Sequence, residues 1–247
     1  MMTGAACVCH ATVMQTEYEL LALPAGAVPV RWRRSRRARQ VSLRIDPAAA
    51  AVIIILPPRS RRSTGFALLQ KHSSWAVDRL AALPPATRFC PGSLVPLNGS
   101  AHLVRHVPTA GSGAWLAGRE IRVGGAAADV AQHVTAFLRA QAQRNMSALV
   151  AEKAARLNRQ PRRVLVKDTR TRWGSCAADR SIAFNWRVVM APPFVQDYVA
   201  AHETAHLRHM NHGTSFWADV AELTPQRKAA IAWLKTEGPR LLREGIS

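Results

Sequence analysis

The segment His202-Glu203-Thr204-Ala205-His206 sets two imidazoles and a carboxylate in H-E-x-x-H spacing. Four residues of helix turn a little over one revolution, so His202 and His206 share a face. Two imidazoles placed that way can hold one zinc ion. Glu203, about a quarter-turn aside, can take a proton from a metal-activated water. The opposing reading is a surface helix that happens to carry these residues. A catalytic zinc site usually takes three protein ligands and leaves a position for water. His209 and His212 are the nearest candidates downstream. The 202–206–212 spacing equals that of the longer H-E-x-x-H-x-x-G-x-x-H pattern, except that His209 stands where the helix-breaking glycine belongs. On a continuing helix His209 would lie about 10 Å along the axis from His202, which favours His212 as the third ligand. Asn211 and Gly213 can both adopt left-handed backbone angles and reverse the chain. His209 then stands beside the site or in solvent.

The element that must carry the pair starts well. Pro192-Pro193 suits a first helical turn, and Phe194, Val195, Tyr198, Val199 and Ala201 form an apolar stripe at helical spacing. Tyr198, one turn before His202, is either a core tyrosine or a group that orients ligand or substrate. Strands are expected near 164–167 and 182–186, before this helix. A helix spans about 126–157 with Val130, Val134, Leu138, Met146 and Leu149 inward. A terminal helix opens at Thr224-Pro225 and either ends near Gly238-Pro239 or continues past a kink.

Several of these segments together resemble the YgjP-like metallopeptidases, a bacterial zincin family related to the SprT-like proteases. They are Thr171-Arg172-Trp173-Gly174-Ser175-Cys176, Phe184-Asn185-Trp186-Arg187, Asp197-Tyr198-Val199, the H-E-x-x-H itself, His209-Met210-Asn211-His212 and Phe216-Trp217. The likeness spans roughly 28–222, with Thr204 where a small or aliphatic residue is commoner. It implies a zinc-dependent hydrolase with His202, His206 and His212 as ligands and Glu203 as general base. It also implies a β-hairpin beside the site that carries Trp173 to Trp186. Asn185 and the backbone N–H groups of Trp173, Gly174, Ser175 and Cys176 would hold substrate. The implied fold is α+β: a zincin-like metallopeptidase domain whose active-site helix lies beside a small β-sheet, preceded by a β-rich N-terminal region.

The 247 residues carry 34 Lys and Arg against 15 Asp and Glu, a net charge of +19. Such a field favours polyanions, or reflects only a solvated basic surface. Arg31, Arg33, Arg34, Arg36, Arg37 and Arg39 concentrate it around Trp32. This cluster either tracks phosphates with Trp32 stacked on a base, or guards an exposed edge strand against aggregation. Cys7, Cys9, Cys90 and Cys176 form no disulfide framework, and Cys7-Val8-Cys9-His10 reads as a reduced terminus rather than a metal motif. No secretory signal is apparent, and the longest apolar run, Ala48 to Leu56, is far too short to span a bilayer, so it reads as a buried strand. The chain is accordingly expected in the cytoplasm.

Along the chain we expect a disordered extension over 1–23, a β-rich region over 24–125 and a mainly helical metallopeptidase region over 126–247. Strands are expected at 41–45 and 51–56, around Leu94–Leu97, His102–His106 and Glu120–Val123. A single helix is expected over about 63–83, burying Phe66, Leu69, Trp75, Val77 and Leu80. Peptide-bond hydrolysis is the first functional reading, with a protein or peptide as substrate. The alternatives are a metal-dependent nucleotide pyrophosphohydrolase and a DNA-associated protease or binding protein. No P-loop pattern or dense carboxylate set supports the nucleotide reading.

Overall fold

The computed structural model describes residues 18–246, which divide into two compact units at Ala82/Leu83. Cys7, Cys9, His10 and most of the expected extension lie outside the described residues. The last residues of that stretch do not follow the expectation: Glu19–Leu23 form a strand, β1. Leu21 and Leu23 join the apolar cluster of the unit, and pairing with the next strand satisfies their backbone.

The first unit is a four-stranded sheet with two helices. Its strands are β1, β2 (Gly26–Arg34), β3 (Ser42–Asp46) and β4 (Ala51–Leu56), in the order β1-β2-β4-β3. β2 and β4 run parallel, and the other two pairings are antiparallel. Ala51–Leu56 of the apolar run form the inner strand β4, buried at every residue, while 48–50 belong to the turn before it. The expected helix over 63–83 is two helices, α1 (Arg62–Lys71) and α2 (Ser73–Ala81). The break at His72 changes the buried phase, so Ala76 enters the core beside Leu69 while Trp75 is exposed.

The second unit begins with another four-stranded sheet, β5 (Leu94–Leu97), β6 (Ser100–His106), β7 (Gly113–Ala117) and β8 (Glu120–Gly124), ordered β5-β6-β8-β7. Asn98 and Gly99, with φ of 52° and 80°, make the tight β5–β6 turn that positive φ at both positions allows. The long helix α3 (Val130–Arg156) carries Val130, Val134, Leu138, Ala142, Met146 and Val150, one residue per turn, into the core. It packs on β7, β8, β9 and the helix of the H-E-x-x-H segment.

Three strands frame that helix: β9 (Arg163–Lys167), β10 (Gly174–Cys176) and β11 (Ser181–Asn185), in the order β10-β11-β9. β10 and β11 form the expected hairpin, with β10 at the sheet edge. A 3-10 turn over Trp186–Met190 then leads into α4 (Pro193–Ala205). α5 (Thr214–Leu223) and α6 (Arg227–Leu241) complete the unit, and α6 continues through Pro239. The fold is α+β, with the H-E-x-x-H helix beside a small sheet. No helix among the described residues is long and apolar enough to cross a membrane.

Candidate metal centre

α4 starts on Pro193, where a missing N–H costs nothing, and ends at Ala205. His206 is therefore its cap, not an interior residue, and hydrogen-bonded turns through His209 follow it. The reversal needs no left-handed residue: neither Asn211 nor Gly213 has a positive φ, contrary to the sequence reading. Early termination of the helix brings His212 back instead. One ring nitrogen from each of His202, His206 and His212 lies within 4.8 Å of the other two, and the Nε2 atoms of His202 and His212 face each other at 3.2 Å.

Phe216, fully buried on α5, forms the floor of this cluster. Its ring centre is 5.0, 4.6 and 4.7 Å from those of His202, His206 and His212. Trp217 flanks it, 5.8 Å from His202 and 5.7 Å from His212.

The donor set fits a metal. His206 donates its Nδ1–H to the His209 carbonyl at 2.8 Å, which leaves the Nε2 lone pair for the cluster. Two nitrogens bound tetrahedrally at about 2 Å stand about 3.3 Å apart, close to the His202–His212 separation. Burial, then the charges of His206, His212 and Arg227, pushes His202 down to about 4. Burial also lowers His206. Both rings are thus neutral at pH 7, the form that ligates. His209 stands aside: its ring reaches Asp219 at 3.4 Å, and its carbonyl orients His206.

Glu203 points toward Gly174 of β10 and is buried. Its carboxylate lies against the backbone of Gly174, where a Cβ would stand 2.5 Å from Glu203 Cγ and Oε1. Only glycine leaves room for it. Burial raises Glu203 to about 7, while the charge of Arg172 and a hydrogen bond from the Cys176 N–H hold it from going higher. A carboxylate poised there exchanges a proton readily at neutral pH.

The remaining residues singled out from sequence have diverse places. Trp173 packs against Gly238 of α6, and its carbonyl accepts the Asn185 N–H at 2.8 Å. Asn185 is fully buried: its Nδ2 donates to the Thr169 carbonyl at 2.6 Å and its Oδ1 accepts the Arg187 N–H at 2.9 Å. Those bonds engage both ends of its amide, so its side chain braces the loop before β10. Tyr198 lies in the core, its ring 6.0 Å from His202. Cys176 is partly buried and free, as is Cys90.

Sequence reasoning missed Arg227, whose guanidinium stacks 3.8 Å over Trp217 and depresses His202. It comes from a separate helix, and no spacing rule links it to the H-E-x-x-H segment.

Residues 39–237 match the family model described as YgjP-like, metallopeptidase domain. The chain belongs to the YgjP-like metallopeptidase family. A comparison with curated proteins finds no match. Among solved structures, the crystal structure of the metallopeptidase zymogen of Pyrococcus abyssi abylysin aligns at 21% identity with a TM-score of 0.33, covering 37% of this chain and 95% of that one. Membership of this family makes the chain a metal-dependent peptidase by class, with a histidine triad able to hold the ion.

Proposed function

We propose that this YgjP-like chain is a zinc-dependent endopeptidase, with His202, His206 and His212 as ligands and Glu203 as general base. The observation that carries this reading is one juxtaposition. Three imidazoles converge on a common point, and the residue that follows His202 on the same helix presents a buried carboxylate of near-neutral proton affinity to a sheet edge. Three imidazoles with room for a further ligand suit zinc, which when bound supplies a Lewis acid for the scissile carbonyl and makes water more acidic.

The chain's own residues would do the rest. Glu203 accepts the proton of the attacking water and returns it to the leaving amine. Its pocket against Gly174 excludes solvent and fixes its orientation. β10 is positioned to hold an extended peptide. The Trp173–Asn185 and Ala177–Ser181 backbone bonds pair alternate residues inward, so Ser175 faces β11 while the backbone groups of Gly174 face the open edge. A peptide adding as a strand there would run beside Glu203.

The test compares zinc-loaded wild type with Glu203→Gln on casein and, separately, on a nucleoside triphosphate. Casein should be cleaved by wild type only, with the triphosphate untouched and zinc content equal in both proteins. Triphosphate hydrolysis without casein cleavage, or a fully active Glu203→Gln, would overturn the proposal.

A further inference from the structure

The arginine cluster of the first unit is not explained by the peptidase site, and the topology gathers more of it than the sequence suggests. Because β2 and β4 are parallel, with Arg34 opposite Leu56, both strands deliver their following loops to one end of the sheet. β3 begins at that same end, with Ser42 opposite Ile55. Arg36, Arg37 and Arg39 lie in the first loop and Arg59 and Arg61 in the second, with Arg33 on the last turn of the pleat; all six are exposed.

Arg34 ties the two loops together. Its Nη1 donates to the carbonyls of Pro57, Pro58 and Ser60 at 3.4, 2.7 and 2.9 Å, and the Ser35 N–H donates to Leu56 at 2.9 Å. These bonds join the backbones of the two loops, and none of the six remaining cations has an acidic partner among the described residues. Glu19 is already taken by Trp32 and Arg62, Asp46 lies buried at the opposite end of β3, and Asp78 belongs to α2.

Two other readings fail on geometry. Edge protection does not account for most of the arginines, because Arg36, Arg37, Arg39, Arg59 and Arg61 lie in the loops beyond β2 and β4 and not on a strand. Trp32 cannot stack on a base: its Nε1 bonds Glu19 at 2.9 Å, Arg62 covers its ring at 4.4 Å, and the indole packs on the core. With no aromatic at this end, the stacking platform that single strands require is missing. The exposed large apolar residues of this unit, Leu20 and Trp75, lie outside both loops, so the anchors that favour a bilayer are missing too. What remains is a set of exposed guanidinium forks suited to phosphate oxygens.

We propose that the loop end of this sheet, built from Arg33, Arg36, Arg37, Arg39, Arg59 and Arg61, binds the phosphate backbone of duplex DNA without reading sequence. The experiment uses the full chain and fluorescence anisotropy with a labelled duplex, its single strand, and phosphatidylserine vesicles, over a series of salt concentrations. If each of six arginines neutralises one phosphate, log K should fall against log salt with a slope of about −5. Arg36→Gln/Arg37→Gln/Arg39→Gln should weaken duplex binding on the order of 100-fold and cut the slope by about 3, while the corresponding lysine variant keeps most of the affinity. Arg59→Gln/Arg61→Gln, on the other loop, gives an independent second reading and should cut the slope by about 2. The proposal is overturned by a salt-independent affinity, by tighter binding of the single strand, by vesicle binding without duplex binding, or by glutamine variants that bind as wild type does.

Discussion

Glu203→Gln should stabilise the metal-free protein at alkaline pH while it abolishes catalysis. Glu203 is 6% exposed and titrates at about 7, against 4.5 for the same group in an unfolded chain. A carboxyl whose proton affinity is raised by folding favours the folded state below its unfolded pKa. That contribution is lost as pH rises through the window from 4.5 to 7. At about 1.4 kcal/mol per pH unit, the buried carboxylate costs about 3 kcal/mol at pH 8 and under about 1 kcal/mol at pH 5. Glutamine has the same shape, accepts the Cys176 N–H as well, and carries no charge at any pH. Neither His202 nor His206 owes its shift to Glu203, so their own titration cancels between the two proteins. Urea unfolding of EDTA-treated wild type and Glu203→Gln at pH 5, 6, 7 and 8 reads the difference directly. The variant should gain stability steadily across that range, approaching about 3 kcal/mol. A difference that stays flat with pH, or a wild type more stable than the variant at pH 8, would refute the burial argument.

Other outcomes follow from single contacts. Gly174→Ala puts a methyl group 2.5 Å from Glu203 and should displace the carboxylate, lowering kcat on casein on the order of 100-fold with zinc content unchanged; full activity would mean that the contact is not needed. Asp197→Ala strands the almost wholly buried Lys153, its ion-pair partner between α4 and α3, and should cost about 3 kcal/mol in urea unfolding; a loss under about 1 kcal/mol would make the pair dispensable. Burial, then the charges of Glu203 and Asp179, raises the Cys176 thiol to about 11. At pH 8 its alkylation by iodoacetamide should run about 100-fold slower than that of a free cysteine, and equal rates would contradict the assignment.

How much of this was written in the chain depended on how local each feature is. The His202–His206 pair follows from helical periodicity alone, and α3 announced itself through its apolar stripe. The structure places His212 in the cluster that its spacing suggested. Its route back was not legible, because the helix ends at His206 and the chain returns without a left-handed residue at Asn211 or Gly213. The dependence of Glu203 on Gly174 links positions 29 apart, and no periodicity encodes it. Asn185 was singled out only through the family likeness, and no spacing rule shows that its amide bonds the Thr169 carbonyl and the Arg187 N–H. β1 escaped notice since Leu20-Leu21-Ala22-Leu23 lacks polar alternation.

Metal stoichiometry is the most direct test of the centre. Protein dialysed against zinc and then against metal-free buffer should retain one ion per chain in wild type and Glu203→Gln, and little in His202→Ala, His206→Ala or His212→Ala. Wild-type protein that emerges zinc-free, or a His212→Ala protein that binds zinc as tightly as wild type, would contradict convergence of the three imidazoles on a single ion.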